Sequence, residues 1–172
     1  MKPLELHIIV GMAGVGKTTF AENLSEDILG VVMNVSKPIK EIAYLQGWNG
    51  EKDPQSRSLL QRIGRQGREI SPYAWVGQLI SDIVKYRVHT PLRTTRVVIP
   101  DVRLDDEIDI LKSTFPTARF YVYKLEREGF VSPLTKEQLR DVTEKGVSDK
   151  YVTKKVKLKA QKSEHKSHST SS

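Results

Sequence analysis

Residues 11–18 read Gly-Met-Ala-Gly-Val-Gly-Lys-Thr, with the apolar run Leu6–Val10 directly before them and a helix-like stretch directly after. This is the G-x-x-x-x-G-K-[ST] arrangement in its strand–loop–helix setting. Its chemistry is the holding of a nucleotide's phosphates. Gly11, Gly14 and Gly16 let consecutive backbone N–H groups, those of Ala13, Val15 and Thr19 included, turn inward around an anion. The N-terminus of the following helix adds unpaired N–H groups and a positive dipole end. Lys17 is placed to reach the β- and γ-phosphates, and the Thr18 hydroxyl to ligate Mg²⁺.

A second chemical position is Asp101, at the end of the apolar run Thr95–Pro100. A carboxylate at such a strand end can hold Mg²⁺ beside Thr18, directly or through water; the alternative is a turn aspartate or the cap of the next helix. Arg103 lies two residues on and can face the same cleft. Arg57, Arg62, Arg65 and Arg68 crowd one segment, the last three at i, i+3, i+6. That spacing keeps them within about a third of a helix circumference. An arginine-lined helix suits a second phosphate-bearing substrate, and equally suits a solvated basic face.

These groups need elements to position them. A first helix carries Phe20, Leu24 and Ile28 and is expected to be capped by Gly30. Val31–Val35 reads as a strand, and Pro38 opens a helix faced by Ile39, Ile42 and Ala43. Residues 47–54 are loop by their turn residues. Leu59, Leu60 and Ile63 mark one helix, and Val76, Leu79, Ile80 and Ile83 another, parted near Pro72. The run at 95–100 does not alternate, as expected of a strand buried on both faces of a parallel sheet. Asp105–Phe115 reads as a helix, Ala118–Tyr123 as a strand, Leu134–Glu144 as a helix and Tyr151–Leu158 as a last, lysine-edged strand. Strands alternating with helices predict an α/β, three-layer domain with a mainly parallel sheet, its ligands at the carboxyl ends of the strands.

The 172 residues suffice for one core. No apolar run reaches 18 residues, so no membrane partner is expected. The first strand begins almost at once, so no signal peptide is expected. The absence of cysteine excludes disulfides and thiolate metal sites and fits a cytoplasmic setting. The four histidines form no ligand constellation. Of the net charge of +7, residues 154–172 carry six lysines against one glutamate. The body is therefore close to neutral, which argues against a nucleic-acid partner for it. Residues 159–172, rich in Lys, Ser and His, read as a disordered tail.

Five segments carry a resemblance. They are Gly11–Thr19; Ser36–Ile42 with Gly47-Trp-Asn-Gly-Glu-Lys-Asp53; Leu59–Gly64 leading to Gly67-Arg68; Trp75-Val76; and Ile99-Pro-Asp-Val-Arg-Leu104 followed by Glu107 and a strand ending near Arg127. In this order over residues 5–130, the chain resembles the phage-type deoxynucleoside monophosphate kinases of the P-loop nucleoside monophosphate kinase superfamily. The resemblance implies a P-loop NTPase fold with helical acceptor-binding segments (about 37–86) and a lid (about 127–149) within a domain spanning 1–158. It implies transfer of the ATP γ-phosphoryl group to a deoxynucleoside monophosphate, with Mg²⁺, in the cytoplasm of a host if the gene is a phage's. By the same likeness Arg68 and Arg103 contact the acceptor or transferring phosphates, Trp75 shapes the acceptor pocket, and Lys37, Lys40 and Arg65 lie on the acceptor side. Arg127 and Arg140 are the lid candidates. The family pattern has a His-x-Ser-Glu-like lid segment, whose nearest echo here is Gly146-Val-Ser-Asp149.

Two other readings compete. A P-loop kinase of a metabolite hydroxyl would want a catalytic carboxylate beside that hydroxyl. A nucleic-acid-associated ATPase or end-kinase would use the lysine tail, with steep salt dependence. The Trp48 loop suits either a dimer contact or the acceptor pocket, so monomer and homodimer both stay open.

Overall fold

The computed structural model describes residues 2–161, so the expectation of a disordered tail falls almost wholly outside the described residues. Five strands form one sheet in the order β2-β3-β1-β4-β5: β1 (Leu4–Val10), β2 (Val31–Val32), β3 (Thr95–Ile99), β4 (Arg119–Arg127) and β5 (Lys154–Leu158). Every pairing is parallel. β1 is central, its Leu6 and Ile8 lying beside Val97 and Ile99 of β3 on one flank and Phe120 and Val122 of β4 on the other.

Both faces of β1 are covered, which explains why Ile8, Ile9 and Val10 follow one another without polar alternation. Helix α1 (Lys17–Asp27) covers one face, setting Phe20 and Leu24 against Ile9, Val98 and Leu125. The other face receives α2 (Lys37–Leu45), α3 (Pro54–Ile70), α4 (Val76–His89) and α5 (Asp105–Thr114). There Ile39, Ile63, Leu79, Ile83, Ile108 and Leu111 meet Leu6, Ile8, Val97 and Ile99 in one cluster. Among the described residues no helix is long and apolar enough to cross a membrane.

The local signals act as their chemistry requires. Asp53 caps α3 by accepting the Ser56 amide at 2.7 Å, with Pro54 in the first turn. Glu107 in the first turn of α5 reaches back to the amides of Arg103 (2.9 Å) and Leu104 (3.2 Å).

Three expectations are corrected. At the end of α1 the left-handed residue is Leu29 (φ 53°), not Gly30. Gly30 is small for another reason: a Cβ there would stand 3.0 Å from the Arg96 carbonyl oxygen of β3. The second strand is two residues, because beyond Met33 the chain leaves the ladder and gives its Val35 and Ser36 amides to Asp101. Leu134–Glu144 is no α-helix but two 3₁₀ turns, Gln138–Arg140 and Val142–Glu144. Asp141 breaks it: its backbone is extended (ψ 139°) and its carboxylate takes both the Thr143 amide (3.0 Å) and hydroxyl (2.7 Å). Such short-range side-chain bonds compete directly with helix formation.

Candidate functional site

The loop between β1 and α1 emerges where the strand order reverses, with later strands added on either flank of β1. In open parallel sheets that switch point is where ligands collect. Gly14 (φ 81°) and Gly16 (φ 113°) adopt left-handed backbone that side-chain-bearing residues resist, while Ala13 and Val15 are buried beneath the loop. Gly16 caps α1, so Lys17 is the helix's first residue.

The Lys17 ammonium arches back over the loop and donates to the carbonyls of Gly11 (2.7 Å) and Met12 (2.9 Å). An ammonium has three N–H donors, so a third remains for an incoming anion. Burial, and next to it the charge of Arg103, pull the Lys17 pKa from 10.5 down to about 7, against the opposite pull of Glu144 and Asp101. A phosphate in the loop would restore the ammonium by supplying the missing negative charge.

Ala13, Gly14 and Gly16 to Thr19 line one end of a cavity of about 570 Å³. Asp101 and Arg103 line it too, with Lys40, Arg57 and Arg68 from α2 and α3. Tyr44 and Trp48 join the lining as an aromatic pair, ring centroids 4.7 Å apart. The structure therefore brings the loop, Thr18, Asp101, Arg103, Lys40 and Arg68 to one cleft, and Trp48 of the loop after α2 with them.

Other sequence candidates stand elsewhere. Trp75 is buried (8 % exposed), donates its indole N–H to the Gly64 carbonyl at 2.8 Å and packs on Gly67. It props α3 from behind rather than lining the cavity. Lys37 is 60 % exposed and faces Asp82 at 3.9 Å. Arg62, Arg65 and Arg140 line a neighbouring cavity on the other side of α3, where Arg65 meets Asp141 at 3.8 Å. The arginines of α3 thus share a face in projection, yet α3 is a partition and they divide between two cavities. Arg127, at the end of β4, donates to the Val15 carbonyl (3.1 Å) and the Lys159 carbonyl (2.8 Å), bracing the loop from outside.

The Asp101 carboxylate accepts two amides, from Val35 (2.8 Å) and Ser36 (2.9 Å). Each carboxylate oxygen can accept more than one bond, so a cation held through water beside the Thr18 hydroxyl fits this donor set. Mg²⁺ ordinarily keeps several waters and uses only one or two protein oxygens plus substrate phosphates. Among the described residues no group of three metal-ligating side chains exists.

Glu144 is the residue that the sequence reading missed. It lines the cleft, 9 % exposed, with its carboxylate 3.4 Å from Arg103 Nη1 and 3.2 Å from Gln61 Nε2. A signal existed in Asp141-Val-Thr-Glu144, a hydroxyl residue followed by an acid. It matches the expected Ser-Glu pair in its acid, where Gly146-Val-Ser-Asp149 matches it in its hydroxyl. Ser148 of that other segment instead donates its amide to Asp105, at 2.8 Å.

The architecture has a solved counterpart. A gluconokinase from Sinorhizobium meliloti 1021 superposes with a TM-score of 0.51 at 14% identity, over 92% of this chain and 83% of that one. The chain has the P-loop fold. A second solved chain, from Chloroflexus aurantiacus, aligns at 14% identity over 92% of this chain and 86% of that one, with a TM-score of 0.48. No protein-family model and no curated protein matches the sequence.

Proposed function

We propose that the protein is an ATP-dependent kinase whose acceptor is a nucleoside monophosphate, the deoxy form being the one that the sequence resemblance favours. The observation that carries the reading is the make-up of the single cleft. A phosphate loop at one end faces Lys40, Arg57, Arg68 and Arg103, with the Tyr44–Trp48 pair beside them. Cations for a second phosphate and aromatic faces for a base suit an acceptor nucleotide.

The carboxylates point the same way. A hydroxyl acceptor needs a base, whereas a phosphate acceptor arrives already ionised. Asp101 is held by two amides, and Glu144 by Arg103 and Gln61. Phosphoryl transfer then requires alignment more than proton removal. An acceptor phosphate oxygen bonds to the γ-phosphorus of ATP as the bond to the β–γ bridging oxygen breaks, leaving ADP. Lys17 and Arg103 would hold the charge on the equatorial oxygens, and Arg68 and Lys40 the acceptor phosphate. Mg²⁺ held by Thr18, and through water by Asp101, would neutralise the β- and γ-oxygens.

The second reading, a kinase of a metabolite hydroxyl, draws on the fold shared with a gluconokinase. One panel separates the two. Each deoxy- and ribonucleoside monophosphate, and gluconate, is incubated with Mg·ATP and ADP release is followed. Turnover of a nucleoside monophosphate is expected; turnover of gluconate alone would reverse the assignment.

A further inference from the structure

The segment after β4 is a strap laid across the cleft. It begins against the phosphate loop, where a Cβ on Gly14 would meet the Pro133 ring at 3.3 Å. It is pinned to α3 by the Gln138 amide, which donates to the Pro54 carbonyl (2.6 Å) and the Ser58 hydroxyl (3.0 Å). It is pinned to α5 by Ser148 on Asp105 and by buried Val147. Between these pins Asp141 folds residues 142–144 into a short turn that presents Glu144 to Arg103.

Glu144 is a half-buried residue whose carboxylate faces Arg103 and whose remaining contact is the Gln61 amide. Buried charge persists only with such partners. Arg103 also lines the same cavity as Lys17, where the end of a triphosphate would lie. Two anions cannot share that guanidinium without repelling one another.

We infer that Glu144 is a built-in competitor for phosphate. It occupies Arg103 while the cleft holds no phosphoanion, and it surrenders Arg103 to the terminal phosphate of the bound nucleotide, releasing the turn at 142–144 between its two pins. The inference rests on the kinase reading only in taking a triphosphate as the incoming anion. Its consequence is that Arg103 is withheld from an empty site and delivered when the loop is filled.

The test is Glu144→Gln, which keeps the shape and the contact with Gln61 but removes the charge. Binding of inorganic tripolyphosphate is measured by titration calorimetry for the wild-type chain, for this variant and for Glu137→Gln, an acid exposed on the same strap. Glu144→Gln is expected to bind at least about fivefold more tightly, a typical size for coupling between two sites, and Glu137→Gln as the wild type does. Thermal unfolding of all three reports whether the strap is intact. Equal or weaker binding by a folded Glu144→Gln overturns the inference, as does equal tightening by Glu137→Gln. Tighter binding without turnover of any nucleoside monophosphate would uphold the competitor and fell the acceptor assignment. Turnover without tightening would do the reverse.

Discussion

Arg68 of α3 and Glu107 of α5 form a buried ion pair, Nη2 to Oε1 at 2.9 Å, with Glu107 only 3 % exposed. The other Glu107 oxygen accepts the Arg103 and Leu104 amides. One carboxylate therefore sets the position of two of the cleft arginines, Arg68 through its side chain and Arg103 through its backbone. Truncating Arg68 to Ala would leave Glu107 uncompensated, a change that costs about 3–5 kcal/mol where a buried pair loses one partner. Urea unfolding of Arg68→Ala should show a loss of that order; a midpoint equal to wild type would mean that the pair does not hold the helices. Its role toward the acceptor is better read from Arg68→Lys, which keeps charge and loses the fork. The acceptor KM is expected to rise more than the ATP KM.

Asp101 ties the end of β3 to the turn before α2 through the Val35 and Ser36 amides. Asp101→Ala would strand both donors in a half-buried place, at about 1–3 kcal/mol for each unsatisfied group. A lowered melting temperature is expected, with a raised Mg²⁺ requirement for turnover if the carboxylate also holds the cation's waters. Lower stability with an unchanged Mg²⁺ titration would confine Asp101 to the scaffold.

Lys17 makes phosphate binding depend on pH. In the empty protein its pKa is lowered to about 7, and an adjacent phosphate must raise it. Nucleotide affinity is therefore greatest below about pH 7 and declines above it, by up to about tenfold per pH unit until the bound-state pKa is reached. The empty protein behaves oppositely. Its unfolded chain binds more protons than the folded one between about 7 and 10.5, so its stability should rise with pH through that window. Dissociation constants for ATP across the range, beside those of Lys17→Ala, check both the slope and its owner. Lys17→Ala should also abolish turnover while leaving the fold intact.

Gly67 offers a test of the scaffold alone. A Cβ there would fall 2.1 Å from Cζ2 of Trp75, which is itself held by its bond to the Gly64 carbonyl. Gly67→Ala must push the indole away, with an overpacking cost of about 1–3 kcal/mol. The expected result is a lowered midpoint in denaturant with KM values near wild type. A stabilised variant would show the indole freer to move than its packing implies.

The parts legible in the sequence are those that local chemistry dictates. The glycines and Lys17 of the loop and the buried β1 and β3 each carry their own cause within a few residues. The family resemblance alone places Trp75 in the acceptor pocket. What it packs on is decided by Gly64 and Gly67, one helix away. Arg65 and Arg68 look alike by periodicity, and only the placement of α3 between two cavities separates them. Glu144 was hidden for the same reason: its partners Arg103 and Gln61 come from distant elements, and Asp141 disguised its turn as helix.

The strap lies in the chain between β4 and β5, and β5 adds to the outer flank of β4. During synthesis the phosphate loop, α3 and Arg103 emerge long before Glu144 can reach them. A domain folds as a unit, so the contact between Arg103 and Glu144 must await synthesis of the strap, and the sheet is complete only once β5 follows it.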